Sequence, residues 1–98
     1  MVVWTEHAQR QLRDIHNYIA KDSPLYAKRT VLDIAQKTKI LEKFFKIGKI
    51  TPETDQEHIR ELSIHSYRII YQIEKNDIYI LAIVHNRQIL EQTQFQLD

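Results

Sequence analysis

Three β-rich runs, residues 58 to 64, 67 to 73 and 78 to 85, follow one another with connections too short to hold a helix. Strands joined this closely turn back on one another, so the chain is committed to three consecutive antiparallel strands. The second connection, "EKND", places a tight turn at Lys75-Asn76, because Asn tolerates a left-handed backbone. That turn pairs Ile73 with Ile78, Tyr71 with Ile80, Ile69 with Ala82 and Tyr67 with Val84, an almost wholly apolar face. Side-chain alternation then gives the opposite face Arg68, Ile70 and Gln72 on one strand, and Tyr79, Leu81, Ile83 and His85 on the next.

An apolar sheet face needs a cover, and the first half of the chain supplies one. "MVVW" reads as a short first strand. Thr5 is placed to cap a helix whose Ala8, Leu12, Ile15 and Ile19 fall on one face, ending near Asp22. Ser23-Pro24 suits both a stop and a new start, Ser as N-cap and Pro at the first helical position. Ala27, Val31, Ile34, Thr38, Leu41 and Phe45 repeat with helical period and carry the second helix to about Lys46, before a loop marked by Gly48 and Pro52. The expected fold is therefore α+β: a short N-terminal strand, an antiparallel helical hairpin packed on one face of a small, mainly antiparallel sheet, in the order β-α-α-β-β-β.

The length of 98 residues fits one domain spanning 1–98, with residues 88–98 as a C-terminal tail. With no cysteine there is neither a disulfide framework nor a thiolate nucleophile. The five histidines lack metal-ligand spacing, and one glycine cannot build a phosphate-cradling loop, so neither metal nor cofactor is expected. The N-terminus has no basic region followed by an apolar run, and no stretch reaches the length of a membrane span, which points to the cytoplasm. Charge is unevenly spread. Residues 28 to 49 carry seven basic side chains against two acidic ones, whereas residues 50 to 66 carry Glu53, Asp55, Glu57 and Glu61 against Arg60 alone. A solvated helix face accounts for such lysines in the ordinary case; a steering surface is the alternative.

The stretch "RELSIHSYRIIYQI" places Arg60 and Arg68 on adjacent strands, and a one-residue change of register decides whether they share a face. A two-residue turn at Ile64-His65 pairs Glu61 with Arg68 as a cross-strand ion pair and sends Arg60 to the other side. A connection lengthened through Ser66 pairs Leu62 with Arg68 and Arg60 with Ile70. Both arginines then join His85, and Arg87 beyond it, on one face. Neither register gives the first of these strands a clean alternation, so the sequence leaves both open.

The segments "QLRDIHNYIAKDSPLYA", "REL" followed by "YRIIYQI", and "IYILAIVHNR", in this order and spacing, resemble the RelE/ParE superfamily of toxins from type II toxin–antitoxin systems, over nearly the whole chain from Trp4 to about Arg87. The helix exit and the last two strands look more like ParE members. That resemblance implies a toxin that inhibits DNA gyrase and is neutralised by a cognate antitoxin. RelE-like members are instead ribosome-dependent endoribonucleases that cut mRNA, in which basic and histidine side chains neutralise the phosphate and move protons. Carried over residue by residue, Arg60, Arg68, His85 and Arg87 would be the catalytic set if the chain were RelE-like. Asn86 stands where many nuclease members have an aromatic residue. An extended and helical antitoxin segment is expected to lie over Ile70, Leu81 and Ile83, or along the helical hairpin.

Overall fold

The computed structural model describes residues 1–87; the tail of residues 88–98 lies outside the described residues. Strand β1 (Val2–Trp4) leads into helix α1 (Glu6–Ala20) and helix α2 (Pro24–Lys39), followed by a 3₁₀ turn at Ile40–Glu42. Strands β2 (Lys49–Ile50), β3 (Ile59–Ile64), β4 (Tyr67–Glu74) and β5 (Asp77–His85) complete it. Sheet order is β1-β5-β4-β3-β2, with β1 parallel to β5 and the other pairs antiparallel.

Each helix begins where its cap chemistry dictates. Thr5 is extended, and its hydroxyl accepts from the Ala8 amide at 3.2 Å while donating to the Ile80 carbonyl at 2.8 Å. One side chain thus starts α1 and ties that start to β5. Ser23 accepts from the Tyr26 amide at 3.1 Å with Pro24 in the first turn, as a serine–proline start should. Ala8, Leu12 and Ile15 from α1 and Ile34 from α2, with Leu41 after it, pack on Leu62, Ile69, Tyr71, Ile78, Ile80 and Ile83 of the sheet. Each fully buried aliphatic side chain of this set stabilises the fold by about 1.5–3 kcal/mol.

Helix α2 is shorter than its periodicity suggests. It ends at Lys39 rather than near Lys46, and Phe45 is turned outward instead of completing the stripe. The cause lies in the sheet. The Tyr71 hydroxyl donates to the Phe45 carbonyl at 2.8 Å and accepts from the Gly48 amide at 3.0 Å, drawing the chain inward. A Cβ at Gly48 would stand 2.5 Å from the Glu61 carbonyl and 2.7 Å from the Tyr71 hydroxyl. The glycine therefore serves close approach, and beside it the two-residue β2, which periodicity cannot reveal, pairs with β3.

Both hairpins correct the expected register. The first turn is at His65-Ser66, with Ile64 opposite Tyr67 and Ser63 opposite Arg68, which is neither of the two alternatives. His65 supplies the left-handed conformation (φ 52°). The second turn is at Lys75-Asn76 as expected, and Ile73–Ile78 and Tyr71–Ile80 pair as expected, but a bulge between Ile70 and Tyr71 then shifts the ladder. Beyond it Ile69 pairs with Ile83 and Tyr67 with His85, in place of Ala82 and Val84. The bulge lets Ile83 enter the helix-facing core where strict alternation would have put Ala82. Leu81, Ala82 and Val84 cluster with Ile59 and Ile70 on the other side of the sheet.

Candidate functional site

The shifted register disperses the residues that one of the two open sequence registers brings together. Arg68 and His85 lie on opposite faces of the sheet, because Arg68 is opposite Val84 whereas His85 is opposite Tyr67. Arg60, opposite Tyr71, has the helix-side parity. Strand β5 ends at His85, and Arg87 sits in the turn after it, its amide donating to His85 Nδ1 at 3.2 Å.

Arg68 lies at the centre of a buried ionic cluster. Its guanidinium forks onto Glu53, Nη1 to Oε1 at 3.0 Å and Nη2 to Oε2 at 2.7 Å, and Nη1 also donates to Glu61 Oε1 at 3.1 Å. Only 9% of the Arg68 side chain and 2% of that of Glu61 are exposed. The hydrogen bond to Glu53, outweighing the opposing effect of burial, raises the basicity of Arg68 above the ordinary arginine value. Glu61 and Arg68 do share a face, as the first of the two sequence alternatives required, but as diagonal neighbours. Glu53 escaped notice because it reaches Arg68 from the loop before β3; its only signal was the acidic run containing it.

Arg60 performs a different task. Its Nε donates to the Glu57 carbonyl at 3.0 Å, and Nη1 donates to the Gly48 carbonyl at 2.9 Å. With Tyr71 it clamps the chain that enters β2. Burial raises the Tyr71 phenol above its ordinary value, partly offset by the Gly48 amide and by the charge of Arg60, so the hydroxyl stays a neutral donor and acceptor.

His85 is exposed and stands edge-on to Tyr67, ring centroids 6.0 Å apart and planes at 79°. Both rings line an open cavity of about 450 Å³ with Gln11, Asp14, Ile15, Tyr18, Ile83 and Val84. Burial, then the neighbouring Tyr26 and Tyr18 phenols, raise the Tyr67 pKa. Among the described residues the lining contains one carboxylate, that of Asp14, and neither lysine nor arginine, while Arg87 follows His85 in the adjoining turn. The residues proposed to meet an antitoxin are also divided. Ile70 and Leu81 cluster on the far sheet face and Ile83 in the helix-side core, with exposures of 0%, 2% and 2%.

Fold and site together define a small two-layer domain in which Arg60, Arg68 and Tyr71 hold its own loops. The chain belongs to the ParE toxin family of type II toxin–antitoxin systems (parDE), whose model matches residues 2–90. A solved structure described as a chromosomal ParDE TA system from P. aeruginosa shares the fold, with a TM-score of 0.72 and 24% identity over 86% of this chain and 92% of that one. No curated protein matches the chain. Among the described residues no helix is long and apolar enough to cross a membrane, and no cluster of side chains could hold a metal ion.

Proposed function

We propose that this ParE-family toxin arrests growth by binding DNA gyrase and is held inactive by a cognate antitoxin. Family membership over residues 2–90 carries this reading. The dispersal of Arg60, Arg68 and His85 supports it over the alternative, a ribosome-dependent mRNA endoribonuclease. Such a nuclease needs cations directed at the scissile phosphate beside a group that moves protons. Here Arg68 is committed to two glutamates, Arg60 to backbone carbonyls, and His85 lies across the sheet from Arg68.

Inhibition through binding requires a surface, and no residue of the chain need react. Purified toxin added to gyrase and relaxed plasmid tests this: supercoiling should fall with toxin concentration and recover when antitoxin is added. Unchanged supercoiling, together with mRNA cleavage in a translating extract, would move the chain to the nuclease class.

A further inference from the structure

The basic stretch ending at Ile50 is used by none of the chemistry above, and the structure gives it an unusual form. From residue 42 to 47 every side chain is exposed. Phe44 is 57% exposed, Phe45 45%, Ile47 52% and Ile50 38%. Lys39, Lys43, Lys46 and Lys49 alternate with them along the chain.

This apolar surface is not a loose loop awaiting burial. Its backbone is fastened from within by the Tyr71 hydroxyl on the Phe45 carbonyl and Gly48 amide and by Arg60 on the Gly48 carbonyl, and the Ile47 amide closes a turn on the Phe44 carbonyl at 3.1 Å. Tyr71 and Gly48 occupy the interior position, so the two phenylalanines and Ile47 are held outward. A surface fixed in advance spends little conformational entropy on binding. Aromatic anchors within a charged rim also match the make-up of energetic centres in protein interfaces.

The charge specifies the partner's chemistry. Lys46 and Lys49 meet Glu57 and Glu61 only at 3.7 and 4.0 Å, and no ion pair forms at Lys39 or Lys43 among the described residues. The patch is therefore positive and apolar, complementary to a segment that is acidic and apolar. Ile70 and Leu81 are withdrawn from the surface whereas Phe44 and Ile47 are exposed, and exposed phenylalanines left bare favour aggregation of a stored toxin.

We infer that the loop of residues 43 to 50 docks an acidic, apolar segment of the antitoxin, with Phe44 and Ile47 as anchors and Lys43 and Lys46 as the charged rim. This rests on the toxin–antitoxin reading above. The test is titration of the full toxin chain with the antitoxin encoded alongside it, at low and high salt. Phe44→Ser combined with Ile47→Ser should weaken binding by about a hundredfold. Lys43→Glu combined with Lys46→Glu should weaken it by about tenfold and flatten its salt dependence. Leu25→Ser, at the opposite end of α2 and 80% exposed, should bind as wild type. All of these positions are exposed, so the thermal transition should be retained.

Loop variants that bind within about twofold of wild type would overturn the surface while leaving the toxin–antitoxin reading intact. Failure of the wild-type chain itself to bind that antitoxin would end both. Loss of binding to anionic phospholipid vesicles in the loop variants, with antitoxin affinity unchanged, would overturn the proposal in favour of a membrane surface.

Discussion

Arg68 is the residue whose surroundings decide most. A guanidinium among two carboxylates, almost without water, is held by geometry, and removing it takes from Glu53 and Glu61 the cation that both of them bind. Arg68→Ala should therefore destabilise the fold by about 3–5 kcal/mol in urea denaturation, whereas replacing all three residues with apolar ones of similar volume should cost far less. Tyr71→Phe deletes the hydroxyl that both donates and accepts, leaving the Gly48 amide and the Phe45 carbonyl to find new partners. A loss of about 1–3 kcal/mol is expected. Among the described residues His85 makes only its edge contact with Tyr67 and the bond that its Nδ1 accepts from the Arg87 amide. If gyrase is the target, His85→Ala should arrest growth as strongly as wild type when antitoxin is withheld; a variant that no longer arrests growth while still folding would point back to acid–base chemistry.

At the scale of elements, the two hairpin turns and one bulge set everything that follows. Lys75 takes φ 55° in a two-residue turn without glycine, a conformation that a side chain disfavours by about 1–2 kcal/mol. Lys75→Gly should thus raise the midpoint of thermal unfolding, and a lowered midpoint would show that the lysine side chain makes a contact outweighing the strain. The strands themselves and the second turn were legible in the sequence, since β-branched runs between polar turn residues allow few other readings. The parity of the faces was not. It depends on which residues occupy the turn at His65-Ser66 and on an extra residue near Leu81, and neither leaves a mark in hydrophobic alternation when both sheet faces are apolar. The site inherited that ambiguity: four residues that one of the two open registers draws on one face are in the structure Arg68 on one side, Arg60 and His85 on the other, and Arg87 in a turn. The end of α2 was hidden for a related reason, because the hydroxyl that captures the chain after it belongs to Tyr71, far away in sequence.

Among the described residues the fold is a single sheet with helices on one side, and side chains close the outer edge of β1. On β1, the Val2 amide donates to Glu42 at 3.2 Å and the Trp4 carbonyl accepts from Gln9 at 3.0 Å, which blunts an edge that would otherwise invite pairing. Two phenols, Tyr71 buried and Tyr67 half-buried, link this architecture to pH. Tyr67 and Tyr71 both have pKa values raised above the ordinary 10.0, so the folded state holds these protons more tightly than the unfolded chain. Their contribution is fully present below about pH 10 and is lost as the pH rises through the folded-state values. Alkaline unfolding should begin above about pH 10, and Tyr71→Phe should reduce the slope while lowering stability at neutral pH. As proposed above, the toxin acts by occupying gyrase. Pulse labelling of DNA and protein synthesis in the first minutes after induction without antitoxin tests that claim most directly. Early loss of DNA synthesis, with protein synthesis continuing, is the predicted result; protein synthesis falling first would contradict it.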